Sequence, residues 1–570
     1  MKNLHSVVIV FCVVLATNTL FAANYYVSPT GNNANDGSIG TPWLTVQYSV
    51  DQLQPGDFLF VQPGAYFEKI TLHVSGTANL PITITGSNQS AVLDGTGNTT
   101  QIAMIDITDQ SYLQILQLGI QNNVMNDAQG ILVSGNCQGI ELKELAIHDI
   151  HFSANPNDVA TAATNAQGII VLGTNAVTPI RDLVISGNAL YDCRLGYSEG
   201  IAVNGNVDGF EVTSNTVFNL TNIGIVAIGH EENCADPLLD QARNGSISQN
   251  TVYGCHSPYA ACGGVYIDGA KDIQVTRNSC YDNDYGIEIG CEHAGKSAEN
   301  IIVRNNIVRL NSITGIAFGG YDYPTVSGKV INSTVYNNTL YKNDSTYDGN
   351  GELTFSYFEN CFFENNIFFT NDQLRAVTAV NSVAALNLNY NLYFTPSSDQ
   401  TELIQTVNGT YTLAAFQQTG QELNGLFDNP YFGNDPLDIN SFRMIYNVNS
   451  LAIDHGNPNY QPLVNELDFF SLPRLNNLPV DMGASEFWME DLSETALTLI
   501  EVFPNPTTHE VQLISTTDFN SFTIFDLTGK MVAEGKLENN RISLANLTSG
   551  SYLIRFSGAS GMAQSRVVKW

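Results

Sequence analysis

GVYIDGAKDIQVTRNSCYDNDYGIEIG, residues 264–290, contains one full period of a repeat. Gly264 leads into alternating Val265 and Ile267, then Ile273 and Val275 run to Asn278, and a second glycine-led strand starts at Gly286. Apolar residues at a period of two mark short strands with one face inward. The pattern continues in both directions. The step from an apolar residue to Asn recurs at Asn188, Asn215, Asn250, Asn278, Asn306, Asn338, Asn366 and Asn391, at intervals of 27, 35, 28, 28, 32, 28 and 25 residues. Between these asparagines lie GILVSG (130–135), GIIVLG (168–173), GIAVNG (200–205), GIVAIG (224–229) and GIAFGG (315–320).

Val- and Ile-rich strands, no helical period and a repeat of about 28 residues predict an all-β right-handed parallel β-helix. Successive coils of such a solenoid sit about 4.8 Å apart. Asparagines at one repeat position then stack, and their amides bond along the stack, so these residues belong to the scaffold and not to a site.

The whole chain has 570 residues, 43% hydrophobic and 14% charged, with 55 Asp and Glu against 22 Lys and Arg for a net charge of −33. That field repels nucleic acids and anionic membranes and disfavours a polyanionic substrate. Lys2, the apolar run Val7–Leu15 and the small residues Ala22 and Ala23 read as a secretory signal peptide over 1–23. No apolar run elsewhere reaches about 20 residues, so the exported chain is not an integral membrane protein. Export permits disulfides. Cys234, Cys255, Cys262 and Cys291 fall in expected loops and are the candidates, whereas Cys280 and Cys361 lie in strand patterns as buried thiols. The expected layout is a capped β-helix over 24–490, a linker over 491–500 and a separate unit over 501–570.

The stretches YYVSPTGNNANDGSIGTPWLTVQYSV (25–50) and LQPGDFLFVQPGAYFEKITL (53–72) resemble the N-terminal cap shared by β-helical polysaccharide lyases and related hydrolases, which implies a pectate-lyase-like solenoid. AIDHGN (452–457), LPR (472–474) and VDMGASEF (480–487) resemble the closing segment of bacterial extracellular β-helices. There Asp454, Asp481 and Glu486 are expected to serve as turn and cap acceptors. VFPNPTTHEVQLIS (502–515), FTIFDLTGK (522–530), LTSGSYLIRF (547–556) and SRVVKW (565–570) closely resemble the C-terminal sorting domain of the type IX secretion system, a small β-sandwich. That resemblance implies a Bacteroidota-type cell, type IX machinery as a partner, and a cell-surface or secreted destination.

On a β-helix, outward side chains and inserted loops build the site. With Val265 and Ile267 inward, Tyr266 and Asp268 face out. With Ile287 and Ile289 inward, Glu288 faces out. Stacking Gly264 on Gly286 sets Glu288 beside Tyr266 and Asp268 over Gly290, next to Glu292. Long loops follow the glycine-led strands of neighbouring coils: HEENCADPLLDQARN (230–244), CEHAGKSAEN (291–300) and YDYPTVSGK (321–329). They carry His230, Glu231, His293, Tyr321 and Asp322, the candidate substrate-binding residues together with Tyr266. Paired carboxyls on adjacent coils suit glycosidic cleavage, in which one is ionised and one protonated.

The block 264–295 resembles the catalytic coils of the β-helical xylosidases of glycoside hydrolase family 120. Carried over, that resemblance makes Asp268 the nucleophile and Glu292 the acid/base, with Glu288 as a substitute. It implies a retaining glycoside hydrolase acting on an extracellular polysaccharide or oligosaccharide. No organic cofactor is required. Ca²⁺ on the acidic loops is open, with no ligand set assigned. Two alternatives stand beside this reading. A polysaccharide lyase would use Lys271 or Lys296 as base, and a non-catalytic surface β-helix would only bind glycans.

Overall fold

The computed structural model describes residues 22–381, 386–397, 399–444, 450–488, 498–514, 519–526, 530–537, 539–558 and 561–570. The expected signal peptide, apart from Ala22 and Ala23, and most of the expected linker lie outside them. The chain divides into two compact units, Met1–Glu486 and Phe487–Trp570.

The first unit winds through three sheets of 16, 13 and 13 strands among the described residues, parallel except for the closing antiparallel pair Ile404–Thr406 and Gly409–Tyr411. One coil runs through Arg243–Ser248 in the first sheet, Thr251–His256 in the second and Gly263–Asp268 in the third. Like residues stack on like. Val212 pairs with Ile247, Ile247 with Val275 and Val275 with Val303, all fully buried in one continuous core. Third-sheet strands used below are β1 (Ala166–Gly173), β2 (Ile201–Gly205), β3 (Ile225–Ile228), β4 (Gly263–Asp268), β5 (Tyr285–Gly290) and β6 (Thr314–Phe318).

The expected asparagine stack is present at the turn from first to second sheet. Each amide from Asn188 to Asn366 donates Nδ2–H to the Oδ1 of the next at 2.9–3.1 Å. Asn391 ends the row on a buried carboxyl: Glu422 accepts its backbone N–H at 3.0 Å, its Nδ2–H at 2.9 Å and the Tyr393 hydroxyl at 2.9 Å. A second row at the following turn was not read from the sequence. It joins Asn283, Asn311 and Asn343 and ends on Glu352. Its signal is a second Asn five residues beyond each of Asn278, Asn306 and Asn338.

Both ends of the helix are closed. The helix Val46–Val50, N-capped by Thr45, buries Val46 and Val50 over the first coil. Glu68 accepts the N–H groups of Val46 and Gln47 at 2.9 and 3.0 Å, satisfying donors a helix start leaves free. In the closing segment, Asp481 accepts the Asp454 N–H at 2.7 Å, and Glu486 accepts N–H bonds from Asn476 and Asp481. Asp481 and Glu486 act as cap acceptors, as expected, while Asp454 enters the network through its backbone N–H.

The disulfide expectation is corrected. Cys234, Cys255, Cys262 and Cys291 are buried free thiols, as are Cys137, Cys193, Cys280 and Cys361. Cys255 stacks in register on Leu220, which stacks on Cys193, so it is a core residue in a strand and not a loop residue seeking a partner. Cys262 points its Sγ at the Cys255 carbonyl and the Asp284 carboxylate.

The second unit packs a five-stranded and a three-stranded sheet around Val511, Leu513, Ile524, Ile542, Ile554 and Phe556.

Candidate active site

The register of β4 on β5 sets the geometry. Tyr266 pairs with Glu288 and Asp268 with Gly290, as the glycine stacking implied. Val265, Ile267, Ile287 and Ile289 fill the coil interior, and alternation sends Tyr266, Asp268 and Glu288 outward. The outer face here is not fully open. Tyr266 packs with Ile170, Ala202, Val226 and Ile228 in a second apolar cluster outside the coil and is only 5% exposed. It therefore offers its hydroxyl and not its ring face.

Asp268 is 5% exposed, and its Oδ1 accepts the backbone N–H of Glu292 at 2.8 Å. The Tyr266 hydroxyl donates to Glu292 Oε1 at 3.4 Å. Two carboxyls from consecutive coils and one phenol thus share a single recess. Burial pushes the Asp268 carboxyl well above the usual range, and the charges of Glu292, Glu231 and Glu199 push the same way. Burial likewise raises Glu288, with Glu292 and Asp268 adding to it. Glu292 is raised by burial and by Glu231, while His293 and the Tyr266 hydroxyl pull it back down. It keeps part of its surface in solvent, unlike Asp268.

The loops deliver the rest. His293 Nε2 meets Glu231 Oε1 at 2.8 Å, tying the loop after β3 to the loop after β5. The first of these loops hangs on Asp240, a buried carboxylate that accepts N–H bonds from Glu232 and Cys234 at 2.7 and 2.9 Å. The backbone carbonyl of Asp240 takes the His230 N–H at 2.6 Å. This clasp holds His230 and Glu232 at φ of 74° and 59°, the left-handed region that L side chains rarely adopt. Burial keeps the His230 ring below its ordinary pKa, and neither ring nitrogen has a protein partner. Tyr321 is 65% exposed and near enough to Glu292 and Asp268 to feel their charge. Asp322 is exposed, and its backbone carbonyl organises its own turn by accepting from Thr325 and Val326.

Sequence reasoning missed two groups. Glu199 stands just before Gly200 at the entry to β2, and its carboxyl is pushed to about 8 by burial, Glu231 and Glu292. Attention to loops that follow strands passed over this residue, which precedes one. Asp240 looked like one more loop acid, and only its bonds distinguish it. Of the basic candidates, Lys271 begins a first-sheet strand in register with Arg243, off the face that carries Asp268. Lys296 stands on the loop beside His230. Arg277 lies in a turn and donates to Ser471 Oγ at 3.3 Å. Among the described residues, no group of three or more His, Cys, Asp or Glu is arranged to hold a metal ion.

Comparison with known proteins gives two family matches. Residues 230–331 match the right handed beta helix region, and residues 501–569 match the secretion system C-terminal sorting domain. The protein thus carries the tail that directs export to the cell surface or beyond. No helix of the described residues is long and apolar enough to cross a membrane. An uncharacterized protein of Bacillus subtilis, YwoF, is 35% identical over 364 residues, covering 61% of this chain and 75% of its own. Pectate lyase PEL9 of Emericella nidulans is 32% identical over 79 residues, 13% of this chain and 19% of that one. Among solved structures, pectate lyase Pel9A aligns at 15% identity and TM-score 0.42, covering 81% of this chain and 96% of its own. The GH136 lacto-N-biosidase of Eubacterium ramulus aligns at 14% identity and TM-score 0.44, covering 71% and 67%.

Proposed function

We propose that this chain, which belongs to the family of the Bacillus subtilis protein YwoF, is a secreted carbohydrate-active enzyme, a retaining glycoside hydrolase. The observation that carries the reading is the pair Asp268 and Glu292, set on consecutive coils and joined by the 2.8 Å bond from the Glu292 N–H to Asp268 Oδ1. Glycosidic cleavage needs one carboxyl protonated and one ionised. Burial favours the proton on Asp268, and the Tyr266 hydroxyl favours charge on Glu292.

The roles that follow reverse those implied by the family 120 resemblance. Asp268 Oδ2 gives its proton to the leaving oxygen as the glycosidic bond breaks, and Glu292 attacks the anomeric carbon to form a glycosyl ester. Water then displaces Glu292 while Asp268 takes back a proton. Glu288, His230 and the Glu231–His293 pair surround the ring and hold its hydroxyls, and Tyr321 closes the outer side.

Elimination from a uronate is the second reading, supported by the 79-residue match to a pectate lyase. It would require Lys296 as base, because Lys271 lies on another sheet. The test is purified protein on neutral and uronate-containing glycans, followed for new reducing ends and for the ultraviolet absorbance of unsaturated uronate. Reducing ends alone support hydrolysis. Both signals together overturn it in favour of elimination, and silence on every glycan leaves a binding protein.

A further inference from the structure

The outward face of the third sheet is open on one side of the acid pair and closed on the other. One outward row passes in register from Ile170 through Ala202, Val226 and Tyr266 to Glu288. It continues through Ala317 and Thr354 to Thr378. The first four residues point out of the coil yet are at most 5% exposed. Glu288, Ala317 and Thr354 keep part of their surface in solvent. The change falls between Tyr266 on β4 and Glu288 on β5, the same two coils that supply Asp268 and Glu292. The next outward row repeats the asymmetry. Ile228 packs into the closed cluster, whereas Asp268 is followed by Gly290, and a Cβ on Gly290 would lie 3.5 Å from the Gly319 carbonyl oxygen. Glycine follows glycine on one side, and isoleucine stands on the other.

Outward apolar side chains are hidden from water only where other parts of the chain lie over them. Here the loops at both ends of the strands lean toward the N-terminus. From the loop after β3, Cys234 Sγ reaches the carbonyl of Asn175, just beyond β1, at 3.7 Å. A Cβ on Gly205, at the end of β2, would come 3.2 Å from the Asn233 Cβ. At the opposite strand ends, Tyr259 ahead of β4 stacks on Tyr197 ahead of β2, with ring centroids 4.1 Å apart. The Cys234 and Tyr259 contacts each reach back two coils. The Glu231–His293 bond bounds the recess beyond the strand ends. Toward the C-terminus the face stays open as far as Thr378, where the Gly349 carbonyl accepts from Thr378 Oγ1 at 2.8 Å and the row is buried again. Asp268 and Glu292 therefore stand at one end of the open stretch and not in its middle.

Cutting within a polysaccharide needs room for the chain on both sides of the broken bond, and this face gives room on one. We propose that Ala202, Val226, Ile228 and Tyr266 form a stop for the glycan, which approaches over Thr354 and Ala317, lays its end against that wall and is cut from the chain end. This rests on the reading of the recess as a hydrolase site.

The test has two arms, both on the full chain. In the first, viscosity and product size are followed on every glycan from which reducing ends appear. Viscosity should hold while reducing ends accumulate, and products should have one size from the earliest time point. A fall in viscosity ahead of the reducing ends, with a ladder of product sizes, overturns the stop and leaves the hydrolase standing. The second arm needs no substrate. Ala317→Cys and Ala202→Cys are each exposed to a polyethylene-glycol maleimide, with the parent as blank, since its cysteines outside the signal peptide are buried. Ala317→Cys should react about ten-fold faster or more, because a covered thiol reacts only when the structure opens. Thermal melting checks folding, and Val226→Cys is a second probe of the closed side. Equal labelling of the two sides in folded protein overturns the stop whatever the activity. No reducing ends from any glycan overturns the hydrolase and the cutting mode with it, and the labelling contrast then shows the closed face on its own.

Discussion

In the proposed mechanism Asp268 has one oxygen to spend on chemistry, because Oδ1 is already held by the Glu292 N–H. On that reading the bond leaves Oδ2 to carry the proton and couples the two residues. Asp268→Asn should lower kcat by about 10²–10⁴-fold, the range for general acid catalysis, with little change in melting temperature. The roles separate in azide. If Glu292 attacks, Glu292→Ala in azide releases a glycosyl azide with inverted anomeric configuration; if Glu292 is instead the acid, the azide product keeps its configuration. Tyr266→Phe removes the donor on Glu292 and should raise the apparent pKa of the acidic limb of kcat, read from a pH profile. At this scale the sequence was informative about strands and poor about loops. Period-two alternation placed Tyr266, Asp268 and Glu288 on the outer face and in the correct register, because a one-residue slip would bury charge. It did not show that the outer face has an apolar cluster of its own, which hides the Tyr266 ring.

At the scale of an element, the loop after β3 and the asparagine row show two ways of fixing backbone. Asp240 holds two N–H groups of its loop with a carboxylate that solvent does not reach. The asparagine row was legible because it repeats, whereas Asp240 occurs once and its role is visible only in three dimensions. Each ladder amide also donates to a backbone carbonyl; Asn278 Nδ2, for example, reaches the Ile247 carbonyl at 2.9 Å. Asn278→Ala should therefore take away the oxygen that accepts both the backbone N–H and the side-chain amide of Asn250, at a cost of about 2–4 kcal/mol of unfolding free energy read from denaturant titration. The matching change at exposed Asn408, outside the row, should cost less than about 1 kcal/mol. Of the four loop cysteines offered as disulfide candidates, Cys255 failed because a coil that stacks in register puts small apolar groups inside, and a thiol serves as one.

For the whole molecule, buried carboxyls set the response to pH. Glu199 and Glu486 are pushed to about 8 and Glu422 to about 7, each first by burial. In the unfolded chain such groups titrate near 4.3. Between those values the folded protein holds protons that the unfolded chain has released, so stability is highest on the acid side and falls as pH rises through 7 and 8. The melting temperature should drop by several degrees between about pH 5.5 and 8.5, and Glu422→Gln should flatten part of that slope. A melting temperature that rises over this interval would contradict the assignment of protons to these groups.

The two amide rows have a direction. Every asparagine hands its proton toward the C-terminus and takes one from behind, so interior rungs are interchangeable while the two ends are not. Leu145 N–H fills the acceptor at Asn188, and only an anion or a bare oxygen can finish the row at Asn391. Lineages of this fold are therefore free to grow or shrink by duplicating whole coils between those termini, where each new rung meets the same neighbours. Growth past Glu422 has no such freedom. The length of the solenoid in relatives should accordingly vary in steps of one coil, with the closing acid carried along unchanged.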